Sequence, residues 1–336
     1  MTSYVLRRLP SLAIVLIVSS FLIFLIMRLV PGDPAEALAG ANATPATVAA
    51  IRHQLGLDQP FLTQYAEWIK GLLTGDLGTS YQIGGSIGSL ISEAAGNTLL
   101  LSLSALVIAV VVAVVLGTLW AGARRPWIDH LLTGVNTLAI AIPTFVVGVV
   151  LVLLLGVAFP ILPTGGIPRA GLLADPGITW QYLIMPAFCL ALPISAVLTR
   201  YLAESLRTEL AQPYIATALA AGVPRRRLLL RHAMRNVLPT SLTVLGLQTG
   251  ALLGGAVLVE FTFSWPGLGM LIERAVAGRD YPVVQVLLMG SVAVYAVLQL
   301  LTDVAHALLD PRIRLSTTTR RARRATPRRL ALGGAR

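Results

Sequence analysis

The chain reads as all-α: a polytopic membrane protein with six transmembrane helices, an outer insertion after the first, and a cytoplasmic two-helix elbow before the fifth. Three observations predict this. Hydrophobic residues make up 56% of the sequence and charged residues 12%, about half the ~25% charge of a soluble domain, so water is not the main solvent. Six apolar runs, at 9–30, 99–123, 131–158, 182–202, 237–260 and 283–309, each reach the roughly 20 residues a helix needs to cross a bilayer. Of the 26 Lys and Arg, 20 share one side if both termini are cytoplasmic: Arg7 and Arg8, Arg124 and Arg125, seven Arg at 200–235, and nine from Arg312 onward. This positive-inside bias sets the orientation. The net charge of +11 therefore reads as topology and attraction to anionic lipid, not as nucleic-acid binding.

The first span, within 1–30, follows Arg7-Arg8 as a secretory signal would. Its apolar run is longer than the roughly 7–15 residues of a signal core, and a Pro31-Gly32-Asp33-Pro34 turn intervenes, so an uncleaved helix is expected. Residues 31–98 form the outer segment, where composition turns soluble-like. Thr44-Pro45 has the form of an N-cap followed by an N1 proline. Leu57-Asp58-Gln59-Pro60 reads as a turn, and Phe61, Tyr65, Trp68 and Leu72 then share one helical face. That stripe either packs the cap onto the spans or offers a docking platform.

A core of five spans is expected over 99–310. The second span returns through a tight loop at 125–130 to the third, which Pro143 should kink, since its ring clashes with the carbonyl one turn back. Pro143 is a candidate for the wall of a pathway. Residues 159–179 form an outer loop, and Pro186 and Pro193 are expected to interrupt the fourth span. The single Cys189 reads as a small core residue.

Residues 213–235 make the longest polar-faced helical run between two apolar segments. Helical period divides it into two short helices, 214–221 and 224–235, hinged at Gly222, with Pro224 suited to a first turn. Arg227, Arg231 and Arg235 would line one face at i, i+4 spacing.

In the fifth span Gly246, Gly250 and Gly254 recur every four residues, clearing a face either for helix packing or for a path lined by small residues. Both readings hold if the helix lies against a second subunit. Gln248 is a candidate path residue, and Glu260, at the outer end, is a path candidate whose default state is a solvated or snorkelling acid. An irregular outer loop at 261–282 precedes the last span. Beyond that span, 311–336 is a basic cytoplasmic tail, rich in Arg and Thr and expected to be unstructured or lipid-bound.

Absences narrow the function. No Asp, Glu, Lys or Arg lies in the interior of a span, where proton- and ion-coupled carriers usually keep relays. The single lysine, Lys70, has no phosphate-cradling frame around it, so the chain carries no motor of its own. His53, His130, His232 and His306 show no metal-ligand spacing, and no nucleophile elbow or paired acid is present. Neither a catalytic residue nor a metal ligand is therefore assigned.

Ala216-Thr217-Ala218, three further residues, Gly222, and the closing Leu238-Pro239 resemble the cytoplasmic EAA loop of ABC-importer permeases, in the variant of the dipeptide and oligopeptide branch. Ala216 stands where the family's name-giving Glu stands, so no carboxylate contact is assigned. The resemblance extends to Val30-Pro31-Gly32-Asp33-Pro34, Gly75-Asp76-Leu77-Gly78-Thr79-Ser80, the Ser264-Trp265-Pro266-Gly267 loop, Arg279-Asp280-Tyr281-Pro282 and Leu309-Asp310-Pro311-Arg312. It covers about 310 of the 336 residues.

The resemblance implies a bacterial inner-membrane permease subunit with both termini cytoplasmic, translocating di- or oligopeptides. Relatives carry nickel, glutathione or haem-like cargo. It implies no cofactor in this chain, with ATP and Mg held by two ATP-binding subunits or one fused ATPase. It also implies a second, related permease as heterodimer partner and an extracytoplasmic substrate-binding protein. Contact with the ATPase would fall on Tyr214, Ala216, Thr217, Ala218, Ala221, Gly222, Val223, Pro224, Arg227 and Arg231. In the family, the loop at Ser264, Trp265, Pro266 and Gly267 is a re-entrant element facing the binding protein. The alternative from another class is a secondary transporter or channel driven without ATP.

Overall fold

The computed structural model describes residues 2–309 apart from 31, 41 and 173; the basic tail at 311–336 and the side chains of Asp303 and His306 lie outside the described residues. Thirteen helices follow one another: α1 (Thr2–Leu29), α2 (Pro34–Ala39), α3 (Pro45–Gln54), α4 (Phe61–Thr74), α5 (Ile87–Gly122), α6 (Pro126–Ala141), α7 (Thr144–Leu151), α8 (Pro176–Leu210), α9 (Pro213–Ala220), α10 (Arg225–Arg227), α11 (Met234–Thr262), α12 (Leu268–Ala277) and α13 (Tyr281–Leu309). Wider π-helical turns at Val152–Ala158 and Leu228–Ala233 extend α7 and join α10 to α11. Among the described residues, the one strand-like pairing is the bridge between Thr79 and Ser86.

Stretches within α1, α5, α8 and α13 are each long and apolar enough to cross a membrane. Two bent pairs raise the number to six when each counts as one span: α6 with α7, turned through 99°, and α10–α11, bent by 51° near residue 253. The first bend falls where Pro143 was expected to kink the chain: Ile142 and Pro143 are both extended, and α7 restarts at Thr144. The expectation fails for Pro186 and Pro193, because α8 runs through both as one helix. Each proline removes a single hydrogen-bond donor. The α8 face around them is held among α5 and α11 residues, so packing keeps the helix whole where an isolated segment would break.

The core forms where α5 lies along α8. Ala105, Ala109 and Ala113 repeat every four residues on α5 and are buried against Met185, Leu190, Ala191, Ile194 and Leu198 of α8. One turn further, a Cβ on Gly117 would come within 3.1 Å of the Leu202 side chain. Small residues in register let two long helices approach closely, and dispersion over that length is the cohesion available where lipid tails are as apolar as leucine. Val259, Phe263 and Trp265 from the end of α11 and beyond it complete this core.

In the outer segment, Thr44 caps α3 by accepting a hydrogen bond from the Thr47 N–H, with Pro45 in the first turn. Phe61, Tyr65 and Trp68 of α4 meet Phe21 and Phe24 of α1 edge-on or tilted, at 5.2 to 6.0 Å between ring centroids for the pairs made by Phe61, Tyr65 and Trp68 with those two rings.

Candidate functional site

Two constellations sit at opposite ends of α11. At the inner end, α9 follows α8, the chain turns at Gly222 with φ +82°, and α10 runs through the π-helical turn into α11. A left-handed residue costs a non-glycine about 1–2 kcal/mol, which is why glycine occupies the turn. The second limb differs from expectation. It has no end near Arg235; it is the N-terminal extension of α11, and the π-helical stretch passes through Arg231, so strict i, i+4 alignment of Arg227, Arg231 and Arg235 is lost although all three remain exposed.

The roots of this elbow are fixed while its tip is free. Ile215, Leu228 and Ala233 are buried, and Ala233 and Val237 pack with Ala121 of α5 and Leu202 and Leu206 of α8. Glu209, on the last turn of α8, accepts hydrogen bonds from the Tyr214 hydroxyl at 2.6 Å and from Asn236 Nδ2 at 2.8 Å, tying α8, α9 and α11 together. Burial, then the Glu209 carboxylate, push the Tyr214 phenol up, opposed by Asn236. Ala216, Thr217, Ala221, Gly222, Pro224, Arg227 and Arg231 are exposed, with Ala218 and Val223 half-buried. Sequence reasoning missed the clamp beside it: Arg207 donates to Asp129 Oδ1 at 2.5 Å and to the Trp120 carbonyl at 3.1 Å, and the Trp120 indole donates to the same carboxylate oxygen at 2.7 Å. These three residues come from α5, α6 and α8 and carry no shared spacing that would have marked them.

At the outer end Glu260 is fully buried, which corrects the expectation of a solvated or snorkelling acid. Thr98 Oγ1 donates to its Oε1 at 2.6 Å, and the N–H groups of Gly269 and Met270 donate to its Oε2 at 2.6 and 3.3 Å. Thr98 Oγ1 also accepts the Leu268 N–H, so one acid and one hydroxyl satisfy the three donors opening α12. Asn97 completes the grip: its amide donates to the Pro266 carbonyl at 2.8 Å, and its own carbonyl accepts the Trp265 indole N–H at 3.1 Å. A Cβ on Gly267 would overlap the Glu260 carboxyl group, and one on Gly269 would come within 2.5 Å of the Val257 Cα. This explains the two glycines in the Trp265–Gly269 run. Ser264 turns the chain with φ +49°.

Asp280 is the second fully buried acid. It accepts from Ser80 Oγ at 2.5 Å and from the N–H groups of Tyr81, Gln82 and Ile83 at 3.1, 2.9 and 3.3 Å, pinning the end of the outer segment to the corner between α12 and α13. Burial, then this carboxylate, push the Tyr81 phenol up against the opposing pull of Arg28. Beside it, a cavity of about 650 Å3 opens among α1, α4 and the start of α13. The Trp68 indole nitrogen and the Tyr281 hydroxyl, both on residues lining it, are buried without a hydrogen-bond partner.

The structure joins Glu260 to the Ser264–Gly267 loop, not to the glycine stripe of α11. Gly246, Gln248 and Gly250 are half-buried, Gly254 is exposed with nothing within 4 Å of where a Cβ would stand, and Pro143 is exposed at the α6–α7 bend. Gly250 stands 3.6 Å from the Tyr295 ring of α13, whereas nothing lies near Gly254. The stripe is therefore packed within the chain at Gly250 and open at Gly254.

Residues 113–315 match the family described as "Binding-protein-dependent transport system inner membrane component", and residues 1–85 match its companion, "Binding-prot-dependent transport system membrane comp, N-term". The chain belongs to this family of ABC-transporter permeases. Among its relatives, the glutathione transport system permease protein GsiC of Escherichia coli (strain K12) is 35% identical over 314 residues, 94% of this chain and 99% of that protein. The protein of the same name from Salmonella typhimurium is 36% identical with the same coverage. A probable peptide ABC transporter permease, y4tP, of Sinorhizobium fredii is 35% identical over 311 residues, 93% and 99% of the two chains. As a permease subunit the chain is a membrane component of an importer, not itself an enzyme.

Proposed function

We propose that this chain is one of two permeases through which an ATP-driven importer of a bacterial inner membrane moves glutathione or other small peptides, delivered by an extracytoplasmic binding protein. ATP and Mg are held by partner subunits, and both termini face the cytoplasm. The observation that carries the coupling is the elbow: an exposed tip of small residues and arginines, jointed at Gly222, whose two roots are locked to α8 and α11 by the Glu209, Tyr214 and Asn236 bonds. Displacement of the tip is then transmitted to α11 and not absorbed by a loose hinge. The relatives' names support the cargo class, and the description of the family supports the binding protein.

A path for cargo would run beside Pro143, Gly246, Gln248, Gly250 and Gly254, with the open face of α11 closed by the second permease. Glu260 enters as the brace of the outer element and not as a wall of the path.

The test is uptake of labelled glutathione and dipeptides into proteoliposomes holding both permeases, the ATPases and the binding protein. ATP-dependent uptake is expected for the wild type. Deletion of 216–222 or Gly222→Pro should abolish both uptake and ATPase co-purification while membrane insertion persists. Concentrative uptake without any ATPase, or an intact complex after the deletion, refutes the proposal.

A further inference from the structure

The helix α4 has three faces. Phe61, Tyr65 and Trp68 point at α1. On a second side, Thr63, Glu67, Lys70 and Thr74 are exposed and polar. On a third, Leu62, Ala66, Ile69 and Leu73 recur at helical spacing, and the leucines are 70% and 83% exposed, among the most open large apolar side chains in the chain. Ala66 is exposed as well and Ile69 is half-buried, so the two leucines at the ends of the stripe are left open.

The depth at which α4 meets α1 says what covers them. Its aromatic face reaches Ser20, Phe21 and Phe24, and the Tyr65 and Ser20 hydroxyls share a hydrogen bond at 2.8 Å. At 1.5 Å per residue these positions lie about 8–14 Å short of the outer end of α1 at Leu29, within the apolar stretch Pro10–Leu29. One and two turns further in on the same side of α1, Ile17 and Ile14 are more than 60% exposed. The wall below α4 is thus open apolar surface of a membrane-spanning helix, continuous with the bare stripe of α4 itself.

We infer that α4 is an interfacial helix lying in the outer leaflet, with Leu62, Ala66, Ile69 and Leu73 in the acyl region, Lys70 and Glu67 among the headgroups, and Tyr65 and Trp68 in the aromatic zone between. An amphipathic helix with one apolar and one charged side rests at the boundary with its apolar face about 5–10 Å deep. The outer segment is thereby anchored at two points, by lipid at α4 and by Asp280 at its end, which fixes the height of its cavity above the bilayer. This inference rests on the chain being a membrane permease and is independent of its cargo and of ATP.

The test is nitroxide depth measurement on the full-length chain in nanodiscs of phosphatidylethanolamine and phosphatidylglycerol, in a Cys189→Ala background. Labels are placed at Leu62, Leu73, Thr63 and Glu67, with Ile17 as the control for insertion. Labels at Leu62 and Leu73 should be open to oxygen, shielded from a water-soluble nickel chelate, and about 5–10 Å below the phosphates, while Thr63 and Glu67 show the reverse. Equal chelate access on both sides with Ile17 still buried in lipid overturns the inference and leaves the permease reading intact. Shielding of Leu62 and Leu73 from both quenchers overturns it in favour of a protein contact. Chelate access at Ile17 as well overturns both.

Discussion

Two acids, Glu260 and Asp280, are fully withdrawn from solvent, and each accepts from several backbone N–H groups, of which Ile83 also donates to Ser80 Oγ at 2.8 Å. Leaving a buried donor unmet costs about 1–3 kcal/mol, so these residues are sensitive to loss of a single oxygen. Glu260→Gln turns an amide NH2 toward either Thr98 or the start of α12 and is expected to lower stability by about 1–3 kcal/mol; thermal unfolding in detergent measures it, and an unchanged midpoint would mean that the acid does not hold α12. Gly267→Ala should mimic it, because the added methyl takes the space of the same carboxyl group. Asp280→Asn, facing three N–H groups and a hydroxyl, is expected to raise amide exchange at Tyr81 and Gln82 by roughly five- to 160-fold, the equivalent of about 1–3 kcal/mol, and less at Ile83, which also donates to Ser80 Oγ. Exchange mass spectrometry of the peptide covering 79–86 reads it directly.

Among the elements, two glycine-containing stripes look alike in sequence and differ in use. Ala105, Ala109, Ala113 and Gly117 of α5 are spent on the contact with α8, whereas Gly254 of α11 faces open space. Gly117→Leu should therefore overpack the core and destabilise the isolated chain by about 1–3 kcal/mol. Gly254→Leu should leave its melting point unchanged and weaken assembly with a second permease, as read by size-exclusion of the co-expressed pair. If both variants melt alike, the stripe on α11 is a packing face after all. At the elbow, Gly222→Ala forces a methyl-bearing residue into φ +82° at about 1–2 kcal/mol. The chain should still fold, but with reduced stimulation of the partner ATPases by cargo-loaded binding protein.

For the whole molecule, the decisive feature is that α11 begins at the elbow and ends at the acid that holds the start of α12. Under the proposed coupling, a movement imposed at 213–227 would reach the far end of α11 through one helix bent by 51°. Glu260→Gln should therefore uncouple the two ends: ATPase subunits still co-purify and hydrolyse ATP, while cargo moved per ATP falls. Equal loss of hydrolysis and uptake would place Glu260 in general stability and not in transmission.

Much of this was readable from the residues. The apolar runs, the Thr44-Pro45 helix start and the turns at Pro143 and Gly222 follow from periodicity, capping and backbone chemistry, all of which act over a few residues. The motif around Trp265-Pro266-Gly267 was visible as a motif, but its reason was not. Glycine is required there because an acid seven residues earlier folds back onto the same spot. Likewise Pro186 and Pro193 carry every local sign of a break, and only contacts from α5 and α11 keep α8 continuous. Arg207, Asp129 and Trp120 meet across three helices with no spacing to announce them.

By itself the sequence determined the solvent, the helical class and the family, because hydropathy and short motifs are properties of neighbouring residues. Tertiary structure alone decided which stripe is core and which is left open at Gly254, that Glu260 and Asp280 are buried braces, and that the elbow and α11 are one piece. Those outcomes depend on groups far apart in the chain competing for the same hydrogen bonds and the same space.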